Sequence, residues 1–300
     1  MGVVPNPLKP DDRAVVWWAW ATLVANIGIV LTGGLVRLTA SGLGCPTWPR
    51  CTEESFVPHG ELGLHGVIEF GNRMLTYVLI AVVVATYVAI RRWSRTTTLA
   101  RRLALAIAIG IPFQGVIGGI TVLTDLNPWI VSLHLILSMV LIALSTRLLL
   151  LVRGDQAGSP APWQVAVYGV TWVAVYLGTV VTGAGPHAGD LEAPRNGLDP
   201  QVWSHVHAAS VYVLIALTAA VAWWFRGTAA GRAAIVLLVV ELAQGTIGLV
   251  QYFTDLPIAL VAMHLVGAGV LVAFATRLLL SPRESTRAAR PRRPRQSAGA

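Results

Sequence analysis

Two stretches of this 300-residue sequence decide its fold, because they are near copies of each other. They read QGVIGGITVLTDLNPWIVSLHLILSMVLIALSTRLLL (residues 114–150) and QGTIGLVQYFTDLPIALVAMHLVGAGVLVAFATRLLL (residues 244–280). At an offset of 130 without a gap, 18 of the 37 positions are identical. Shared hydrophobicity cannot explain the polar identities, which include Gln114/Gln244, Thr124/Thr254, Asp125/Asp255, His134/His264 and Arg147/Arg277. We therefore infer an internal duplication.

The composition indicates that the duplicated stretches cross a membrane. Only 12% of the residues are charged, about half the share found in soluble domains. Residues 103–123 contain no Asp, Glu, Lys or Arg, and neither do residues 126–146. A bilayer-spanning helix needs about 20 apolar residues. The sequence therefore predicts an all-α integral membrane protein.

Eight such apolar runs predict eight transmembrane helices. They lie near residues 15–37, 63–90, 103–123, 129–152, 163–184, 201–225, 233–253 and 257–281. Weaker matches set LTGG from Leu31 over VTGA from Val181, and YVLIA from Tyr77 over YVLIA from Tyr212. The second match places Asn72 over His207.

The repeat predicts two tandem pseudo-symmetric four-helix bundles. Equivalent elements are four helices apart, so both halves insert with the same orientation, and an axis along the membrane normal relates them. The predicted division is residues 1–152, residues 153–281, and a basic disordered tail over residues 282–300.

The formal charge of +8 is distributed as in a membrane protein. Arginines concentrate between helices 2 and 3, around the gap between helices 6 and 7, and in the tail, whereas the alternate loops are neutral or acidic. The arginines expected between helices 2 and 3 are Arg91, Arg92, Arg95, Arg101 and Arg102. The positive-inside rule then places both termini in the cytoplasm of a multi-pass cell-membrane protein. This pattern indicates a lipid bilayer as the partner of the basic segments, and not nucleic acid.

The two cysteines, Cys45 and Cys51, both lie in the first outward loop, GCPTWPRC. An oxidising outer face favours a disulfide. A thiol–metal site is the alternative, although two ligands alone rarely hold a metal.

Three histidines lie at matched depth in helices that enter from the outer face. His134, His207 and His264 are about 9–11 Å below the outer ends of their helices at 1.5 Å per residue. Each could be a neutral imidazole hydrogen-bonded to a neighbouring helix. Their matched depth in the duplicated halves instead favours axial ligation of heme iron. The pair His207 and His264 suits a bis-histidine b-type heme.

The second helix carries a polar stripe near its outer end. His65, Glu69, Asn72 and Thr76 lie within about 60° of one another at i, i+4, i+7 and i+11. Arg73 lies at the edge of this stripe and could extend to the interface or meet a heme propionate. A buried carboxylate such as Glu69 could move protons or orient a substrate.

These features together resemble the heme A synthase family. The resemblance rests on GGLVRLTASGLGCPTWPRC (residues 33–51), on IEFGNR (residues 68–73) and on the histidines of helices 4, 6 and 8. It covers residues 15–281, and the loop motif is its most specific part.

The resemblance implies an oxidoreductase that converts a methyl group of heme O into the formyl group of heme A, for cytochrome oxidase. It implies heme b in the C-terminal half, ligated by His207 and His264, and substrate heme in the N-terminal half, with His134 as ligand. Glu69 would be the essential acid. The family's outer-loop cysteine pair matches Cys45 and Cys51.

The resemblance also implies partners and pocket residues. Heme O synthase and cytochrome oxidase assembly factors are expected, together with an unidentified electron partner and a possible homo-oligomer. Arg37 joins Arg73 as a candidate for contacting a propionate or lining the pocket.

One position departs from the family pattern. The expected motif is Glu-x-x-His-Arg, whereas this sequence has Asn72 in place of the histidine. An amide is a poor iron ligand. The substrate site then has either His134 alone or a second imidazole from His65, which lies about 10 Å further out along the helix.

Two other functions remain open at this point. A two-heme electron-transfer cytochrome without substrate chemistry predicts two bis-histidine hemes, and Asn72 counts against the second. A transporter built from parallel repeats predicts broken helices at equivalent places. Pro112 is the best candidate break, but its counterpart is Leu242.

Overall fold

The computed structural model describes residues 10–155 and 157–282. Within this part of the chain, eight helices are long and apolar enough to cross a membrane, which confirms the predicted fold class. They are α1 Pro10–Leu38, α2 Gly63–Arg92, α3 Thr98–Leu123, α4 Pro128–Val152, α5 Pro162–Ala184, α6 Pro200–Trp224, α7 Ala229–Phe253 and α8 Ile258–Leu280. Beyond Pro282, the predicted basic tail lies outside the described residues.

The third helix begins before its apolar run, and one expectation about its arginines is wrong. The Thr97 hydroxyl accepts the backbone N–H of Ala100 at 3.1 Å and caps the helix, which starts at Thr98. Arg101 and Arg102 therefore lie within α3 and not in the connection before it, and Arg91 and Arg92 likewise lie within α2. Capping satisfies otherwise unpaired N–H groups, and long arginine side chains can reach the interface from the first turns of a membrane helix.

The duplication is visible in the backbone of the connections as well as in the helices. Asp125 and Leu126, between α3 and α4, have φ of 51° and 59°. Asp255 and Leu256, between α7 and α8, have φ of 57° and 56°. Two successive non-glycine residues rarely adopt this left-handed conformation. Its recurrence at the same offset supports a common origin for both turns.

Each half packs as a ring of four helices. In the first half α1 contacts α2, α2 contacts α3, α3 contacts α4, and α4 returns to α1. The second half repeats the pattern with α5, α6, α7 and α8. Consequently α2 and α4 lie diagonally across one bundle, and α6 and α8 lie diagonally across the other. The halves meet where α8 packs on α1 and α4, and where α4 packs on α5.

The third helix is continuous through Pro112, which lies inside it. The freed carbonyl and missing N–H of a proline can be tolerated in a membrane helix when neighbouring helices pack around it. The structure therefore does not have the broken helix that a transporter would require at this place.

Candidate functional site

At the centre of the second bundle, two histidine rings on diagonal helices lie opposite each other. The ring centres of His207 on α6 and His264 on α8 are 6.5 Å apart, and the ring planes are inclined by 87°. With metal–nitrogen bonds of about 2 Å and about 1 Å from each ligating nitrogen to its ring centre, two axial imidazoles lie roughly 6 Å apart. The spacing in the structure therefore fits two imidazoles on opposite sides of one iron.

A hydrogen bond fixes the tautomer of one of these rings. The Nδ1 atom of His207 lies 3.0 Å from the carbonyl oxygen of Ala174 on α5. A carbonyl oxygen only accepts, so Nδ1 must carry the proton and Nε2 keeps its lone pair. This arrangement is the usual one for a metal-ligating histidine, whose other nitrogen donates to a protein acceptor.

A glycine on the preceding helix lies against each of the three membrane histidines. A Cβ atom at Gly178 would lie 3.3 Å from Cε1 of His207, and one at Gly248 would lie 3.3 Å from Cε1 of His264. In the first half, a Cβ atom at Gly118 would lie 3.5 Å from Cε1 of His134. Small residues let helices approach closely, and here they also leave space for the imidazole rings.

The first half repeats the support of the second-half ligand. The Gln114 amide of α3 donates to the backbone oxygen of His134 at 2.9 Å, and the Gln244 amide of α7 donates to that of His264 at 2.8 Å. The Nδ1 atom of His134 is buried and has no hydrogen-bond partner among residues 10–155 and 157–282. His134 is therefore held like His264, with hydrogen-bonding capacity left over for a ligand.

The polar stripe of α2 faces two neighbouring helices. The Thr32 hydroxyl of α1 donates to Oδ1 of Asn72 at 2.8 Å. The side chain of Thr76 faces α3, where its Cγ2 atom would lie 4.0 Å from a Cβ atom at Gly115. The part of the stripe formed by Asn72 and Thr76 therefore points into the first bundle.

Glu69 is buried between α2 and the loop that joins α1 to α2. One carboxylate oxygen accepts the backbone N–H of Cys45 at 2.6 Å, and the other accepts Nη2 of Arg73 at 2.6 Å. Arg73 also donates to the backbone carbonyls of Cys45, Thr47 and Arg50. Glu69 and Arg73 thus hold the loop on the helix, and the propionate role of Arg73 stays a prediction.

The loop is closed by a disulfide between Cys45 and Cys51, as predicted. Its Trp48 indole lies on α3 at Gly119, where a Cβ atom would overlap the ring. Gly119 is the residue after Gly118, which lies against His134. The disulfide loop therefore covers the helix face next to the first-half histidine.

The remaining predicted residues lie apart from the bundle centres. The exposed His65 ring contacts the Ser41 hydroxyl at 2.9 Å. Arg37 donates to backbone carbonyls of the other half, at 2.7 Å to Thr182 and 2.5 Å to His187. The structure therefore gives His65 a partner in the loop between α1 and α2 and makes Arg37 a contact between the halves.

Sequence reasoning singled out the histidines but missed the hydrogen-bond partners that support them. It noted the Gln114/Gln244 identity without assigning a role, and it had no reason to single out Ala174, Thr32 or Trp48. The repeat carried a usable signal for the glycines, since Gly118 and Gly248 coincide at the offset of 130. The hydrogen bond from His207 to the backbone carbonyl of Ala174 could not be predicted from residue types, because every residue has a backbone carbonyl.

Comparisons with known proteins agree with these features. The family COX15-CtaA, described as cytochrome oxidase assembly protein, matches residues 16–276. A heme A synthase of Geobacillus kaustophilus is 26% identical over 302 residues, covering 92% of this chain and 94% of the relative. One of a Bradyrhizobium species is 28% identical and covers 91% and 93%. One of Lysinibacillus sphaericus is 32% identical over 184 residues, covering 57% and 58%.

Proposed function

This chain belongs to the COX15-CtaA family of cytochrome oxidase assembly proteins, and on that basis we propose that it is a heme A synthase. The reaction turns a methyl group of heme O into the formyl group of heme A. Per methyl group, the balanced half-reaction consumes one water and releases four protons and four electrons. An acceptor for electrons and a route for protons are therefore part of the proposal.

The paired imidazoles of the second half carry the cofactor assignment. The 6.5 Å between the ring centres of His207 and His264, and the Nδ1 hydrogen bond of His207 to Ala174, support a bis-histidine heme b held through the Nε2 atom of His207. Such a group supplies one-electron transfer. Gly178 and Gly248 leave space beside the two rings.

The first half takes the substrate in this proposal. His134 occupies the place that corresponds to His264, and Gln114 supports its backbone as Gln244 supports that of His264. We assign His134 as the protein ligand of heme O. The disulfide loop, through Trp48, shields this side of the bundle from the outer aqueous phase.

Glu69 is the acidic residue of the proposed reaction. It is 5% exposed, so its carboxylate depends on the Cys45 N–H and on Arg73 for stabilisation. Removal of protons from a substrate carbon centre benefits from a positioned acceptor nearby. In this proposal Glu69 both holds the loop and receives protons from the substrate side.

The site lies toward the outer face when the arginine distribution sets the topology. Both termini are then cytoplasmic, and the His207, His264 and His134 rings lie about two turns from the outer helix ends. A heme O synthase on the supply side and cytochrome oxidase assembly factors on the product side are the expected partners. The electron partner belongs to the same proposal, as a redox carrier at the membrane.

Heme identification tests the function directly. We expect the purified protein, co-expressed with a source of heme O, to contain heme B together with heme A or hydroxylated heme O on extraction and chromatography. A protein that contains only heme B would contradict the proposal that the chain is a heme A synthase. The same result would favour the second candidate, an electron-transfer cytochrome, since the His207/His264 pair would serve either function.

A glycine substitution tests the second-half heme site. Leucine at Gly178 would press on the His207 ring, because its Cβ atom alone would lie 3.3 Å from Cε1. We expect Gly178→Leu to lose most of the low-spin heme, measured as the ratio of heme to protein. Gly169→Leu is the matched control on the same helix, since a Cβ atom there meets no atom within 4 Å. Equal heme content in both variants would refute the assignment.

A further inference from the structure

The two bundles differ at one equivalent position in their centres. The match of YVLIA sequences places Asn72 of α2 where the second half has His207 of α6. The facing helices also correspond, because LTGG from Leu31 matches VTGA from Val181 at an offset of 150. Gly28 of α1 is thereby the counterpart of Gly178 of α5.

The space beside these two positions differs as well. A Cβ atom at Gly178 would lie 3.3 Å from the His207 ring, whereas one at Gly28 would meet no heavy atom within 4 Å. The asparagine side chain ends two bonds from Cβ, and an imidazole extends further. No side chain of the described residues therefore lies beside Gly28 as the His207 ring lies beside Gly178.

Asn72 is oriented by a hydrogen bond. The Thr32 hydroxyl donates to its Oδ1 at 2.8 Å, so the amide oxygen is engaged on the α1 side. Its Nδ2 lies near Gly33 of α1, 3.9 Å from where a Cβ atom of that residue would be, and has no hydrogen-bond acceptor among the described residues. A planar amide carries two N–H donors on that nitrogen. The part of the Asn72 amide that remains available to a ligand is therefore a donor.

An amide in this orientation cannot replace the missing imidazole. Its nitrogen has no available lone pair, and its oxygen already accepts from Thr32. His65, the other histidine on this stripe, contacts Ser41 in the outer loop. The described residues thus offer His134 on one side of a first-half heme and a hydrogen-bond donor on the other.

We propose that the substrate heme iron is ligated by the protein only through His134, and that the Nδ2 group of Asn72 donates a hydrogen bond to a small ligand on the opposite, open face. The inference rests on the proposed function for the identity of the heme. Asn72 is then a site residue of this chain in its own right. Thr32 is a positioning residue, since it acts by holding the amide.

Azide binding to the oxidised, heme-loaded protein tests this inference without measuring turnover. Wild type should contain one low-spin heme and one high-spin heme that binds azide, followed by optical titration and electron paramagnetic resonance. Hydrogen bonds to charged groups are the stronger class, so Asn72→Leu should weaken azide binding roughly 10- to 100-fold. Thr32→Val should weaken it less, because the amide remains but turns more freely.

A second substitution keeps the test independent of folding. Asn72→His should restore a second imidazole, so that the high-spin signal and azide binding are both lost while heme content stays the same. Asn26→Ala is the matched control on α1, since the Asn26 amide donates to the backbone oxygen of Thr22 and lies about 9 Å from Thr32 along the helix. It should bind azide as wild type does.

Several outcomes would overturn the proposal. Equal azide affinity in wild type and Asn72→Leu would refute the hydrogen bond. A wild-type protein with two low-spin hemes, one of which becomes high-spin in His65→Ala, would assign the open face to His65 instead. Persistence of the azide-binding heme in His134→Ala would refute the assignment of His134 as the ligand of that heme. Absence of heme A would refute the proposed function alone, because azide titration still reports on heme bound through His134.

Discussion

Replacing Glu69 with glutamine is expected to reduce heme A formation at least about 100-fold, the range that a positioned acid or base contributes, while the His207/His264 heme remains. The carboxylate accepts from the Cys45 N–H and from Arg73. Glutamine removes the negative charge that stabilises Arg73. Its amide has only one oxygen, so its NH₂ group faces either the Cys45 N–H or Arg73, and each of these donors requires an acceptor. The measurement is product heme per protein, alongside the low-spin heme spectrum.

Matched variants separate the chemistry of Glu69 from its structural contact. Glu54→Gln changes an exposed acid of the same loop and should leave product formation intact. Arg73→Gln loosens the loop but keeps the carboxylate. If Glu69 only anchors the loop, Arg73→Gln should lose as much product as Glu69→Gln. A Glu69→Gln protein that retains more than about a tenth of the wild-type product would contradict the proton-accepting role, which predicts a loss of 100-fold or more.

The second large effect is expected at the paired histidines. His207→Ala or His264→Ala should each remove the low-spin heme almost completely, because each supplies one of two imidazoles whose ring centres lie 6.5 Å apart. His134→Ala should keep that heme and lose the first-half heme. The measurement is the heme-to-protein ratio with the low-spin resonance signal.

His205→Ala is the matched control for the paired-histidine variants. His205 lies on α6 two residues before His207, but its exposed ring is near Tyr252 instead of the bundle centre. We expect this variant to retain both hemes. Loss of the low-spin signal in His134→Ala, with its retention in His264→Ala, would reverse the assignment of the two halves.

Much of the candidate site was predictable because duplication made single residues comparable. The offset of 130 paired His134 with His264, and the structure gives both backbones the same glutamine support. The assignment of Arg101 and Arg102 to a connection was wrong, since apolar runs mark the hydrocarbon and not the ends of the helix. A capping threonine extended α3 past its apolar run.

Other features of the site could not be predicted from residue types. Glu69 and Arg73 lie one turn apart on the same helix, but their common contact with the disulfide loop depends on how that loop folds back. The orientation of Asn72 likewise depends on Thr32, which is 40 positions away. The free-energy differences between such side-chain arrangements are small and set by packing.

The sequence by itself determined the eight membrane helices, the duplication and the position of each histidine along its helix. Lipid requires every spanning segment to satisfy its own backbone hydrogen bonds, so length and hydrophobicity suffice to define the helices. Only the tertiary structure decided that the His207 and His264 rings meet across a bundle diagonal, that Glu69 holds the cysteine loop, and that the Asn72 amide is turned by Thr32. These contacts join residues far apart in the chain, and their distances follow from how the helices pack.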